Sequence, residues 1–220
     1  MEIEVTFKAI KNLHLSVHPP EGRVTISSPE FYDLEKVRIY VATKLGWIKK
    51  EQRKFKNQLR EEPRLFINQE SHYFLGERYL LLIEQSKKSR VEKKGKRLVI
   101  YVNDTNDFSS KQRVLNTFYR KNLRERIELF LEKYSLIMLV PTPKITIRSM
   151  KTKWGSCADS GTLFFNIELA KKPLECIEYI VVHEMIHLIE RRHNKRFIQL
   201  MDQFLPLWRA QKKKLNELPL

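Results

Sequence analysis

The first sixty residues alternate between apolar and polar side chains and then change to a helical period. The alternation predicts three short strands at 4–10, 13–17 and 23–27. Pro19–Gly22 is a turn signal between the second strand and the third. From Asp33 to Leu59 apolar side chains recur every three or four residues, which predicts a helix whose weakest point is Gly46.

A second alternating region predicts another set of strands and a second long helix. Residues 73–83 are typical of two strands separated at Gly76, and 97–102 of a further strand. Between them, Lys87–Arg97 carries mostly basic side chains, and we expect it to form the tip of a hairpin. A helical period follows over 109–134, and the serines at its start are suited to capping it.

The last third of the chain predicts a small sheet and two helices. Its predicted elements are strands at 144–148 and 162–167, a loop at 154–157, a helix from Pro173 and a last helix at 195–216. We therefore expect an α+β fold with two regions. The first, 1–138, is β-rich with long helices, and the second, 139–220, carries the candidate chemistry.

The composition is that of a globular protein with a large excess of positive charge. Of the 220 residues, 42% are hydrophobic, yet no apolar run approaches the roughly 20 residues needed to cross a membrane. The formal net charge of +16 attracts polyanions, nucleic acid above all. Two cysteines are too few for a disulfide framework, and no secretory signal is recognisable, so we expect reduced thiols and a cytoplasmic location.

One five-residue segment, His183–His187, carries the pattern with the clearest chemistry. Its two histidines are four residues apart, so on a helix both imidazoles lie on one face and reach a single Zn²⁺ at about 2.0–2.1 Å. In the mechanism known for this His-Glu-x-x-His spacing, Glu184 is the general base that takes a proton from the attacking water. The mostly apolar run 177–182 predicts a buried helix, in which these polar residues need a partner. A chance match on a surface helix is the alternative.

A catalytic zinc needs a third protein ligand, and two side chains compete for that role. We expect His193, because it follows His187 at the spacing of the metzincin pattern HExxHxxGxxH, although Glu190 replaces the glycine of that pattern. On an unbroken helix His193 would point away, so the helix must end or bend between Glu190 and Asn194. Asn194 tolerates the left-handed conformation that ends helices. Glu190 is the rival ligand, and we favour it instead as an acceptor for a ligand histidine.

A longer series of residues resembles a known family. Its parts are Lys153–Cys157, Phe165 and Asn166 with Leu169, Pro173, Tyr179–Leu188, and His193 and Asn194 followed by Phe197. The series, which spans about Thr146 to Trp208, resembles the YgjP-like predicted metallopeptidases, which are similar to SprT-like, WLM and gluzincin-like peptidases. The resemblance implies a zincin-like α+β catalytic domain with a small sheet beside the active-site helix. It also implies three zinc-binding histidines, of which His193 is the third, with Glu184 as the base.

Several residues near the motif are candidates for binding substrate. In zinc peptidases of this kind the strand before the active-site helix often pairs with an extended peptide, and by position that strand is 162–167; an ordinary core strand is the alternative. The candidate substrate-binding residues are Trp154, Gly155, Phe164, Phe165 and Asn166. Gly155 allows close backbone approach, whereas Trp154 is equally suited to the core. Cys157 is expected to be a buried thiol, and inhibitory zinc ligation is the alternative.

Two functions from different classes follow from these observations. The first is a zinc-dependent metallopeptidase that hydrolyses peptide bonds in a protein or peptide substrate. The second is a nucleic-acid-associated protein with a structural or vestigial zinc site, which the +16 charge and the basic segment Lys87–Arg97 favour. The sequence leaves the physiological substrate and the oligomeric state open.

Overall fold

A computed structural model of the chain describes residues 2–18, 21–57 and 64–218. The chain forms two compact units, one within 1–60 and one within 61–218. Both units combine β-strands with α-helical structure, so the α+β prediction is confirmed. The boundary predicted at residue 138 lies inside the second unit, at the end of a long helix, and the division into 1–138 and 139–220 stays a prediction.

The first unit is a three-stranded sheet with one helix. Its elements are β1 (Ile3–Lys8), β2 (His14–His18), β3 (Arg23–Pro29) and α1 (Leu34–Asn57). The central strand β3 pairs in parallel with β1 and antiparallel with β2. The predicted strands and helix are confirmed, and α1 continues unbroken through Gly46. The core of this unit consists of Val24, Ile26, Val37, Val41 and Ile48. Pro19, Pro20 and Leu59 lie outside the described residues.

The second unit begins with a four-stranded sheet. Its strands are β4 (Ser71–Phe74), β5 (Glu77–Gln85), β6 (Arg90–Lys94) and β7 (Arg97–Val102), in the spatial order β4-β5-β7-β6. Gly76 makes the predicted break between β4 and β5 with a φ of +83°, a conformation that suits glycine. The prediction that Lys87–Arg97 is only a hairpin tip is wrong. Residues 90–94 form the edge strand β6, and the tip is reduced to Gly95 and Lys96, because β6 pairs antiparallel with β7.

A long helix, α2 (Phe108–Met138), packs against β6 and β7. Its apolar side chains at helical spacing enter the core of this unit, as the sequence predicts. The residues concerned are Leu115, Tyr119, Leu123, Ile127, Leu131, Tyr134 and Met138. The predicted serine cap is wrong, because Asp107 precedes the helix and its carboxylate accepts a hydrogen bond from Ser110 N at 3.1 Å.

Asp107→Ala is therefore expected to lower the free energy of unfolding of the chain by about 1 kcal/mol, the usual contribution of an N-terminal capping side chain. Urea denaturation followed by circular dichroism measures the change. Ser109→Ala is the matched control, since Ser109 is exposed in the first turn and alanine favours helix. A cost for Ser109→Ala as large as that for Asp107→Ala would contradict the assignment of the cap.

The remainder of the second unit is a small sheet followed by helices. Its elements are β8 (Ile145–Arg148), β9 (Gly155–Cys157), β10 (Leu163–Asn166), a 3-10 helix (Ile167–Lys171), α3 (Leu174–Ile186), α4 (Lys195–Phe204) and α5 (Trp208–Glu217). Two predictions are corrected. Residues 155–157 form a strand rather than a loop, because they pair with β10. The predicted last helix is two helices, since Pro206 between them lacks a backbone N–H.

In the part of the chain that the structure describes, no helix combines the length and apolar character that a membrane span needs.

Candidate metal centre

Helix α3 positions the central residues of the site. It is apolar on all sides, and most of its residues are buried in contact with α2, α4, α5 and β9. This burial fixes the helix, and so it fixes the direction of the few polar side chains that the helix carries. His183, Glu184 and His187 lie in its last turn and at its C-terminal end.

Three histidines converge at the end of α3. The ring centroids of His183 and His187 are 5.0 Å apart, as expected for residues one turn apart on a helix. The ring of His193 lies 5.0 Å from the first and 4.7 Å from the second. Each of the three offers one ring nitrogen, and these nitrogens all lie within 4.8 Å of one another. The structure thus brings together the three histidines that the sequence predicts as ligands.

The turn that returns His193 to α3 begins earlier than predicted. The helix ends at Ile186 rather than between Glu190 and Asn194, and a tight turn follows, in which Glu190 N donates to Ile186 O at 2.8 Å. Asn194 adopts an extended conformation, not a left-handed one, and its side chain caps the start of α4 by accepting from Phe197 N. Among the described residues, none from 187 to 193 has a positive backbone φ angle, so the turn does not need the glycine of the metzincin pattern.

Glu190 stabilises this turn with two different oxygens. Its carboxylate accepts a hydrogen bond from Arg192 N at 3.0 Å, whereas its main-chain carbonyl lies 3.1 Å from His187 Nδ1. The predicted contact between Glu190 and one of the three histidines therefore exists, but the oxygen involved is the carbonyl. A neutral His187 that donates from Nδ1 to this carbonyl keeps the lone pair of Nε2 for a metal.

The electrostatic environment keeps the imidazoles of His183 and His187 neutral. Burial, followed by the neighbouring His187 and His193, lowers the pKa of His183 to about 3. Burial also lowers the pKa of His187, although the Glu190 carbonyl opposes this. His183 Nε2 lies 3.1 Å from His193 Nε2, so two ring nitrogens already point at each other. Neutral, convergent imidazole nitrogens are the donors that a transition-metal ion requires, and the residues present fit such an ion.

Glu184 lies beside the histidines with its carboxylate buried against strand β9. Only 5% of the residue is exposed, and burial raises the pKa of its carboxyl to about 7. The positive charge of Lys153 acts in the opposite direction and lowers this pKa. A Cβ added to Gly155 would stand 2.7 Å from Glu184 Oε1 and 2.8 Å from Glu184 Cγ. The absence of a side chain at Gly155 is what allows the strand to pass this close to the carboxylate.

Aromatic side chains surround the three imidazoles. The ring of Phe197 lies 4.7–5.0 Å from each of them, and Tyr179 packs edge-on against His183 and stacks on Trp208. Phe197 and Trp208 are themselves buried. Tyr179 belongs to the series that resembles the family but was not predicted as a site residue, although its position four residues before His183 places it on the same helix face.

An open cleft of about 580 Å³ lies in front of these residues. Its lining consists of Lys153, Trp154, Gly155, Ser156, Cys157, Asp159, Tyr179, Ile180, His183, Glu184, His187, Arg191 and His193. Lys153 belongs to the series that resembles the family, but neither Lys153 nor Arg191 was predicted as a site residue. Trp154 and Gly155 line the cleft, and that they bind substrate stays a prediction. Phe164, Phe165 and Asn166 are not among its lining residues.

Phe164, Phe165 and Asn166 do not line the cleft because their strand, β10, is the central strand of its sheet. β8 and β9 pair with its two sides, so the expectation that 162–167 forms a substrate-binding edge is wrong. Phe165 is fully buried. Asn166 holds the loop before β9 by donating to Met150 O and Lys153 O at 2.8 and 2.9 Å. The edge strand that faces the cleft is β9.

Cys157 lines the cleft without joining the histidine group. Among the described residues, the group of potential ligands within 4.8 Å contains only the three histidines. Burial raises the pKa of the Cys157 thiol, and Arg191 Nη1 contacts its sulfur at 3.5 Å. Arg191 also donates to Ala158 O and Asp159 O, at 3.0 and 3.2 Å. Its contacts tie the end of β9 to the turn that carries His193.

Fold and site together indicate the class, a metal-dependent α+β protein with a cleft open to ligands. The family model of the YgjP-like metallopeptidase domain matches residues 11–218, and the chain therefore belongs to the YgjP-like metallopeptidase family. It is thus a metallopeptidase, which uses a metal ion and acts on peptides. A search of curated proteins found no match.

Two solved structures are similar to part of the chain. One is the crystal structure of the metallopeptidase zymogen of Pyrococcus abyssi abylysin, with 22% identity over 40% of this chain and 90% of that chain, at a TM-score of 0.38. The other is the metallopeptidase zymogen of Methanocaldococcus jannaschii jannalysin, with 21% identity over 40% of this chain and 92% of that chain, at a TM-score of 0.37.

Proposed function

We propose that the chain is a zinc-dependent peptidase of the His-Glu-x-x-His type. In this proposal, the metal ligands are the three converging histidines, and Glu184 is the general base. The observation that carries it is the convergence of three imidazole nitrogens within 4.8 Å at the mouth of an open cleft, next to a buried carboxylate. Three protein ligands with one side left open are typical of catalytic zinc, whereas structural zinc sites are closed by four.

The donor set supports zinc among the divalent metals. Imidazole nitrogen suits zinc, copper, iron and nickel, whereas calcium and magnesium prefer oxygen ligands. When bound, zinc supplies polarisation of the scissile carbonyl and lowers the pKa of a water towards about 7. Glu184 accepts the proton of the attacking water and passes it to the leaving amine. A carboxyl whose pKa lies near 7 is suited to both transfers.

Strand β9 offers a main-chain edge to an extended peptide. Trp154 and Ala158 face β10, because Trp154 O accepts from Asn166 N and Ala158 N donates to Thr162 O. In an antiparallel strand the backbone groups alternate in direction, so those of Gly155 and Cys157 point away from β10. A substrate that pairs with them would run beside Glu184, and β9 thus replaces 162–167 as the proposed substrate edge.

Metal analysis of the purified chain tests the ligand set. We expect about one zinc per chain in the wild type, because three imidazoles converge, and well below one in His183→Ala, His187→Ala and His193→Ala. The same preparations are assayed on unfolded casein, and only those that hold zinc should cleave it.

Two variants serve as controls for this experiment. His14→Ala removes an exposed histidine from the first unit, and Glu190→Gln keeps a side-chain oxygen that accepts from Arg192 N. Both should keep full zinc occupancy. Loss of zinc from Glu190→Gln together with full occupancy in His193→Ala would identify Glu190 as the third ligand instead.

A further inference from the structure

A groove separate from the metal cleft lies between α2 and the edge strand β6. Its volume is about 650 Å³. The lining residues are Ser89, Arg90, Val91, Ser110, Arg113, Val114, Thr117, Phe118, Lys121, Asn122 and Glu125. We call it the α2–β6 groove. None of its residues belongs to the cleft in front of the histidines.

The α2–β6 groove has two cations that no carboxylate neutralises. Arg113 and Lys121 are exposed on α2, and among the described residues neither forms an ion pair. Arg90 is different, because its guanidinium stacks on Tyr101 at 3.7 Å and donates to Glu92 at 2.7 Å. Glu125 is the one carboxylate among the described lining residues. The groove therefore has a net positive charge that its own side chains leave uncompensated.

The strand that forms one wall has an open edge. β6 is the last strand of its sheet, and in the described part of the chain it pairs only with β7. Every other residue of β6 consequently directs its N–H and C=O away from β7, and these groups can pair with another extended chain. Val91 of this strand lines the groove.

We propose that the α2–β6 groove binds an extended acidic segment of a protein, which adds to the edge of β6 and places two carboxylates against Arg113 and Lys121. The spacing fits. Eight residues along a helix separate the two cations by about 12 Å. Acidic residues four apart in an extended chain lie on the same side at about 13 Å. In the context of the proposed peptidase, and resting on it, the segment belongs to a substrate protein held outside the cleft.

The groove suits an acidic polypeptide better than single-stranded nucleic acid. Nucleic acid without base pairing binds basic grooves by stacking its bases on exposed aromatic rings. Here the ring of Phe118 packs against Phe74 at 5.0 Å, and Tyr101 is buried beneath Arg90. The groove thus offers no free ring face among the described residues, whereas a strand edge offers hydrogen bonds that only a polypeptide backbone can match.

The test is fluorescence anisotropy of a labelled peptide with the 220-residue chain in the presence of a metal chelator, so that hydrolysis plays no part. The peptide is rich in threonine and valine and has two aspartates four residues apart. Arg113→Gln combined with Lys121→Gln is expected to weaken binding at least about fivefold, because two ion pairs are lost. Glu125→Gln removes a repelling charge and is expected to tighten it.

Three comparisons decide the outcome. The matched control, Lys49→Gln combined with Lys50→Gln, removes two exposed cations from α1 and should leave binding unchanged. A peptide of the same sequence that is N-methylated at alternate residues should bind poorly. The proposal is overturned if the control weakens binding equally, if methylation has no effect, or if a single-stranded oligonucleotide outcompetes the peptide. If the peptide binds at this groove but the chain cleaves no casein, the proposed peptidase activity is rejected, whereas the proposed binding of an acidic segment at the groove stands.

Discussion

Replacing Glu184 by glutamine should reduce peptide hydrolysis about a thousandfold, the scale on which general acid–base catalysis contributes. Glutamine has nearly the same shape as glutamate but cannot accept the proton of the attacking water. The three histidines remain, so zinc should stay bound at the wild-type level. The stability of the fold should not fall, because the substitution removes a buried carboxylate whose ionised form is costly to bury.

The rate of casein or peptide cleavage, the zinc content and the midpoint of thermal unfolding are measured together on each variant. Glu178→Gln is the matched control on the same helix, since Glu178 binds Lys133 and Tyr134 and does not line the cleft. It should cleave at a rate close to that of the wild type. Wild-type turnover in Glu184→Gln would reject Glu184 as the base, and equal loss in both variants would point to damage to α3.

Gly155→Ala is expected to reduce turnover about a hundredfold, the typical cost of misplacing a reacting group by about 1 Å. The new methyl carbon would stand 2.7 Å from the nearer carboxylate oxygen of Glu184, closer than carbon and oxygen tolerate. Either the carboxylate or strand β9 must therefore move. Both movements disturb the relation between the base and the substrate edge, while the three histidines are untouched.

Single-turnover rates and zinc content distinguish this effect from loss of the metal. Gly46→Ala is the matched control, because an added Cβ there meets no atom within 4 Å and alanine favours the helix that contains it. Full activity in Gly155→Ala would show that β9 does not restrain Glu184. Loss of zinc in the same variant would show that the substitution acts on the ligands instead.

Local patterns predicted most elements of the fold, since apolar periodicity reports which face of an element is buried. The errors lie where pairing with a neighbouring strand, and not the local pattern of side chains, decides the structure. Residues 154–157 contain Gly and Ser and resemble a loop, but pairing with β10 makes 155–157 a strand. Lys87–Arg97 is so basic that it resembles an exposed tip, yet residues 90–94 pair with β7 and so form a strand of the sheet. A cytoplasmic location, a SprT-like relationship and a nucleic-acid partner stay predictions.

The spacing of His183 and His187 is enough to predict two imidazoles on one face of a helix, because residues four apart are neighbours on a helix whatever surrounds it. How the third histidine reaches them depends on tertiary contacts. The helix ends at Ile186. The turn that follows is supported by the hydrogen bonds that Glu190 oxygens form with His187 Nδ1 and Arg192 N, and by contacts of Arg191 with the end of β9. The turn depends on a contact between Arg191 and Ala158, which lie 33 residues apart, and a local sequence pattern does not predict such a contact.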